Sequence, residues 1–416
     1  MKKLMFWMPL AAIALASCSN DEQVSQVTRS DVQELTIRPI VGNVTRSITT
    51  DANFTQFYLT AEATTGEFWP TQGTGDNATA PTKDAHTGET TTLTGVVTKN
   101  ATSGRWELVT ANSTSNTWYW SSKNAVANFT ASNVQSNSVT IADAVADQKD
   151  VLVAYNSGTA SSFTNGVPLL FRHVLSQIVI KADNKDADVR QIKVAAVRIH
   201  NVGKTNTLTL PATKTTADDF KWDETSYTPW ANEPGDKTSK FYYYKGTTAP
   251  NAGSVSESIT LNATAQEITF NGAVLQLPQT NAGADLTASS ISGSYIDVLV
   301  QVQNLETTTP ALTDAQKAIY PKINVGTTTT ETLSDQKFAW VAVPVDIAWK
   351  PGYKYTYVLH FSKDGIGKSS PDPEGGDEDP GVTPGDEIVD NPVPLYFTVT
   401  IDEWNDASTS PEEKDL

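Results

Sequence analysis

Leu169-Leu170-Phe171-Arg172-His173-Val174-Leu175-Ser176-Gln177-Ile178-Val179-Ile180 is the stretch from which the fold is read. Successive side chains of an extended chain point to opposite sides. Val174, Ser176, Ile178 and Ile180 therefore share one face, and Leu175, Gln177 and Val179 the other. A charged turn follows, and then Ile192 to Ile199 with Val194, Ala196 and Ile199 among its apolar residues. The spacing predicts a β-hairpin, with 169–180 as first arm and 192–199 as second. His173 lies between apolar neighbours, which predicts a packed, hydrogen-bonded imidazole rather than a ligand.

Working outward, the same texture recurs. The chain is rich in Thr, Ser, Val, Ala and Asn, and the β-branched members favour strands. Turn signals punctuate it: Asn-Gly at 165 and 271, Pro-Gly at 234, 351, 380 and 384, Ser-Gly at 103, 157 and 292. Helical patterns are scarce, with a turn or two at Asp314 to Tyr320. Many short strands between turns predict an all-β protein of β-sandwich type. Leu35, Ile37 and Val41 mark a strand at 34–42, with Pro39 placing it at an edge. Phe54, Phe57 and Leu59 begin another. Residues 63–135 are polar and Thr-rich, with tryptophans capping the core, and Phe241 to Tyr244 form an aromatic strand. Residues 245–256 have the composition of a linker. Beyond it come Ile259 to Phe270, Val274 to Gln279, Tyr295 to Val302, Ala339 to Val345 and Trp349 to Phe361. The expected organisation is an N-terminal β-sandwich over 34–250 and a C-terminal one over 251–362.

The two ends are unusual. Lys2 and Lys3 precede an apolar run from Leu4 to Ala14, and Leu15-Ala16-Ser17-Cys18 closes it. This is an export signal over 1–17 with a lipobox, too short to span a bilayer permanently. Cys18 is the one cysteine in 416 residues, so no disulfide is available and its thiol is the expected acyl acceptor. Residues 18–33 are a polar tether. At the other end, 363–393 is an acidic Pro/Gly linker, expected to stay extended and solvated. After it Leu395, Phe397, Val399 and Ile401 alternate with polar residues up to Trp404. The segment 394–416 thus carries either the last strand of its own domain or a strand donated to another subunit, which would gain a full ladder and bury alternate side chains. The 34–42 strand is then a placeholder. Cutting after Arg46, before Ser47, would free both tether and strand; Arg29-Ser30 is the second choice, because a cut there removes only the tether.

Composition narrows the chemistry. The formal charge is −17, and loss of the two leader lysines makes it two units more negative. Such a chain is repelled by phosphate backbones, which argues against nucleic acid. The four histidines, His86, His173, His200 and His360, have no metal-ligand spacing, and no P-loop, dinucleotide or nucleophile-elbow motif occurs. No catalytic residue, metal or cofactor is expected. The carboxylates of Asp372, Glu374, Asp377, Glu378 and Asp379 lack the fixed spacing of a calcium loop and read as solvated linker. Exposed tryptophans would support a different role, a monomeric surface lipoprotein that binds glycans.

These residues in this order resemble the fimbrillin family, the subunits of type V pili. The likeness runs through the lipobox, Thr45-Arg46-Ser47, Phe171-Arg172-His173-Val174-Leu175-Ser176, Leu275-Gln276-Leu277-Pro278-Gln279, Trp349-Lys350-Pro351-Gly352-Tyr353-Lys354-Tyr355-Thr356-Tyr357, and Val399 to Trp404. Val174 stands where the family usually has alanine, and the acidic linker is long for it. The resemblance implies two transthyretin-like β-sandwich domains in tandem and no enzymatic activity. It implies a palmitate-type lipid anchor in the outer membrane, surface display, and cleavage by an arginine-specific protease. Polymerisation with other pilus subunits by strand exchange into a fimbrium would follow, serving adhesion to a host or glycan receptor.

Overall fold

The computed structural model describes residues 32–41, 54–72, 78–84, 86–110, 117–210, 228–250, 255–270, 272–288, 290–305, 310–323, 325, 332–334, 336–372, 383–389, 392 and 395–403. Cys18, Arg29, Ser30, Arg46, Ser47 and Trp404 lie outside them.

The first half builds one large sheet from strands that alternate buried and exposed. These are β1 (Ile37–Val41), β2 (Gln56–Thr65), β3 (Thr92–Lys99), β4 (Trp106–Thr110), β5 (Val126–Ser132), β6 (Leu152–Thr159) and β7 (Val167–His173). Their order is β1-β7-β6-β5-β2-β3-β4, with β1 at one edge. Every pairing is antiparallel except β1 on β7. The period-two pattern puts Phe57, Leu59 and Ala61 of β2, Ala127, Phe129 and Ala131 of β5, and Val167, Leu169 and Phe171 of β7 on the inner face. A small sheet of Gln33–Glu34, Trp118–Trp120 and Phe68–Pro70 packs Phe68, Trp118 and Trp120 into the same core.

The second half is two sheets around a second core. Its main strands are β8 (Ser176–Asn184), β9 (Arg190–Val202), β10 (Ser239–Tyr244), β11 (Tyr295–Asn304), β12 (Ala339–Pro344), β13 (Tyr353–Phe361) and β14 (Tyr396–Glu403). One sheet runs Gln266–Glu267, β8, β13, β14. The other runs β10, β9, β11, β12 and then the short strand Lys368–Ser369. Ile178, Ile180, Tyr357, Leu359 and Phe361 from the first meet Ile199, Phe241, Val298, Val300 and Val341 from the second. The chain is all-β, as expected; its one described α-helix is Asp314–Lys317.

Three sequence expectations are corrected. The 169–180 stretch is not one arm: it breaks at Val174 and Leu175, so that β7 closes the first core and β8 opens the second. Nor do β8 and β9 form a hairpin, because they lie in different sheets. Both are buried on both faces, and a strand of that kind is satisfied only as a central strand with layers on either side. The turn between them caps itself, Asn184 Nδ2 donating to the Arg190 carbonyl at 2.7 Å. Finally, Val174, Ile178, Val197 and Tyr243 pack in the second core, with Val139, Ile141, Val151 and Val153 from upstream, so no division falls at 250. β10 and β11, on either side of 245–256, both pair with β9. Val255 is itself buried, and its N–H donates to the Gln336 carbonyl.

The acidic segment 363–393 is not uniformly solvated either. Ile366 and Ile388 are buried in the second core. Between them Lys368–Ser369 pairs with β12 on one side. On its other side the Ser369 N–H donates to Asp386 and the Gly385 N–H to Ser369. Residues 365–372 and 383–389 thus form a strap over the β12 edge, seated by Ile366 and Ile388 with Val389 packed against the same core.

Candidate assembly strands at the two ends of the chain

The expected placeholder is β1, and its environment is built by the Asn165-Gly166 turn. Gly166 adopts φ +90°, and a Cβ there would meet Thr36 Oγ1 at 2.9 Å, so only glycine lets the chain pass this close. The Val167 N–H donates to the Thr36 carbonyl, and the ladder runs in parallel register from Val167 opposite Ile37 to Phe171 opposite Val41. Leu35, Ile37 and Val41 point into the first core. Where β1 ends, the Phe171 ring meets Phe54 at a tilt and Phe57 edge-on, centroids 4.7 and 5.0 Å away, and Trp106 joins them. An exposed ion pair, Arg105 to Glu34 at 2.6 Å, ties the start of the segment to the β3–β4 turn.

The expected donor strand is β14, which lies in cis as the edge of its sheet. It pairs antiparallel with β13 from Tyr396 opposite His360 to Glu403 opposite Tyr353. Of its apolar face only the first half is seated. Leu395 and Phe397 pack against the core, Phe397 lying 6.0 Å from Tyr357. Val399 and Ile401 are 41% and 57% exposed. His360 is the polar clamp on this strand. Its ring stacks on Tyr396 at 4.8 Å, Nε2 lies 3.1 Å from Thr398 Oγ1, and Nδ1 lies 2.9 Å from the buried carboxylate of Asp183 on β8.

The motif residues turn out to be local locks. Trp349 Nε1 donates to Tyr357 Oη at 2.9 Å, and burial pushes that phenol up to about 12. The Lys350 N–H donates to Tyr355 Oη, the Gly352 N–H to the Leu175 carbonyl, and Ser176 Oγ to the Lys350 carbonyl. Together they start β13 in register with β8. Gln279 both donates to and accepts from the Gly203 backbone. His173 is packed as expected, 2.8 Å from Asp150 Oδ2.

A buried charge cluster beneath the strap was not foreseen. Arg198, 3% exposed, donates from Nη2 to Asp297 Oδ2 at 2.8 Å and to the Asp372 carbonyl at 2.6 Å, with its guanidinium 3.6 Å from the Trp340 ring. Lys240 Nζ donates to Asp372 Oδ2 at 3.0 Å, and Ser370 Oγ to Asp297 Oδ2 at 2.8 Å. His200 lies 3.0 Å from Asp297 and stacks on Tyr295. Burial pushes the Asp372 carboxyl up, but the Lys240 hydrogen bond and the charges of Arg198, Lys240 and His200 outweigh it and hold the carboxyl below its usual range. Asp372 is therefore committed to protein cations and not to a calcium loop, and no cluster able to hold a metal occurs among the described residues. Arg198 and His200, alternating within the apolar run Val197 to Val202, were the available signal.

Among the described residues the tryptophans form no glycan platform. Trp69, Trp118, Trp120, Trp230, Trp340 and Trp349 are buried, and Trp106 is half-buried against Phe54 and Phe57.

Residues 64–309 match the protein family described as fimbrillin-like. No curated protein matches the chain. Among solved structures, a fimbrial protein from Bacteroides vulgatus is 15% identical, with a TM-score of 0.41 over 73% of this chain and 83% of that one. A candidate cell adhesion protein from Bacteroides ovatus is 13% identical, TM-score 0.38, over 89% and 98%. Another from Parabacteroides distasonis is 10% identical, TM-score 0.40, over 90% and 98%.

Proposed function

Because the chain belongs to the fimbrillin-like family, a family of structural pilus subunits rather than enzymes, we propose that it is a cell-surface pilus subunit joined to its neighbours by strand exchange. In this reading Cys18 carries the lipid that holds the exported subunit at the outer membrane. Cleavage after Arg46 by an arginine-specific protease removes the tether and cuts β1 from β2. A β14-type strand of another subunit then replaces β1, and adhesion is the task of the assembled fimbrium.

The observation that carries this reading is the pairing of two unlike edge strands. β1 and the residues just before it plug the first core with Leu35, Ile37 and Val41. At about 1.5–3 kcal/mol for each fully buried side chain, it is held by several kcal/mol after a cut. It would leave by displacement and not by spontaneous loss. β14 has the complementary need, since Val399 and Ile401 are half-exposed on a strand with a free edge, and such an edge invites another chain.

The test is to treat the purified lipoprotein with an arginine-specific protease and follow its size and its new N-terminus. A ladder of polymers appearing with Ser47 as first residue is expected. A product that stays monomeric after complete cleavage at Arg46 would remove the proposal.

A further inference from the structure

The strap changes what β14 can reach. Read as free linker, 362–394 supplies 33 residues after β13, enough to place the last strand up to about 110 Å away at full extension. With Ile388 buried in the core and Val389 packed against it, the span from Val389 to Leu395 is six residue steps, at most about 20 Å. Whatever holds the strap therefore decides whether residues 395–403 stay on their own β13 or travel.

The strap is held by two different means. Ile366 and Ile388 anchor it by burial, and Gly367, at φ +101°, lies where a Cβ would touch Val341, Ala342 and Leu395. Ile366, Val341 of β12 and Leu395 just before β14 pack in the same core. Between these two anchors in sequence stands Asp372. Its carbonyl accepts from Arg198, its carboxylate from Lys240, and its N–H donates to Ser370 Oγ, which itself donates to Asp297. Arg198 and Asp297 are almost fully buried on β9 and β11, so the strap caps a pair of charges that the sheet has removed from water. A buried ion pair needs such additional partners to offset its desolvation, which gives strap closure a polar driving force besides two isoleucines.

We propose that Asp372, clasped by Arg198 and Lys240, is the positioning residue of a strap that keeps the C-terminal strand on its own subunit and must open before that strand can be donated. The role in donation rests on the strand-exchange reading above; the clasp itself does not.

The experiment uses the full-length, uncleaved protein and amide hydrogen exchange. Asp372 and Lys240 are each about one-third exposed at the side chain, so Asp372→Asn and Lys240→Gln leave the two cores intact. Both variants are expected to exchange at least tenfold faster than the parent at Ser369, Ser370 and Gly385, and also along β14, while β8 and β9 stay unchanged. Asp372→Glu should restore part of the protection. Unchanged strap exchange in Asp372→Asn, or a loosened strap with β14 as protected as before, would overturn the proposal. Failure of the protease-treated parent to polymerise, with the exchange pattern as expected, would instead remove strand donation and leave the clasp in place.

Discussion

Gly166 is the residue on which the seating of β1 depends most narrowly. At φ +90° an alanine is strained, and its Cβ would press on Thr36. Gly166→Ala should cost about 1–3 kcal/mol, read as a lower urea midpoint with an unchanged slope. A variant as stable as the parent would mean that β1 does not pass against this turn. Asp372 is the corresponding residue of the strap, and its behaviour with acid can be worked out. Its carboxyl is held below the usual range in the folded chain, against about 3.9 when unfolded. The stability it contributes is therefore fully present above about pH 4 and is lost as pH falls through the folded value. After correction for intrinsic exchange, amides at Ser369 and Ser370 should lose protection below about pH 4 in the parent. Asp372→Asn should show no such step. A step that persists in the variant would assign the effect to another carboxyl.

At the scale of elements, β14 divides into a seated half and an exposed half, and substitutions should report that division. Phe397→Ala removes a ring packed against Tyr357 and should cost about 1–2 kcal/mol, less than the about 3–5 kcal/mol of a fully buried phenylalanine. Val399→Thr with Ile401→Thr, at half-exposed positions, should leave the monomer within about 0.5 kcal/mol of the parent. The same pair should slow polymer growth after cleavage, because those two faces gain cover only in another subunit. Equal growth rates would show that they are not the donated surface. The alternation of Leu395 to Ile401 was legible in the sequence because period two is a strong local signal. So was the all-β character of 169–180. What local pattern could not carry was sheet membership: residues buried on both faces look alike whether they form a hairpin or two central strands in facing layers. The strap was missed for a related reason. Ile366 stands alone between two glycines and Ile388-Val389 is an isolated pair among Pro, Gly and acidic residues, and neither has a period from which burial can be read.

On the scale of the whole molecule, two cores meet near residue 174, and each presents one terminal strand at a sheet edge. The first core holds its strand from the upstream side, through β1; the second holds its own from the downstream side, through β14 and the strap. That placement was half legible. The closing strand could be read, while the division of the cores could not, because the composition of 245–256 imitates a linker although the strands flanking it share one partner in β9. In the proposed sequence of events cleavage releases β1, the strap opens, and β14 of one copy fills the place of β1 in the next. The most direct test of that sequence is the size of the chain lacking residues 394–416 after complete cleavage at Arg46, measured beside the cleaved parent by light scattering. The account predicts a polymer ladder for the parent and only monomer for the truncated chain; a ladder of equal length from the truncated chain would contradict it.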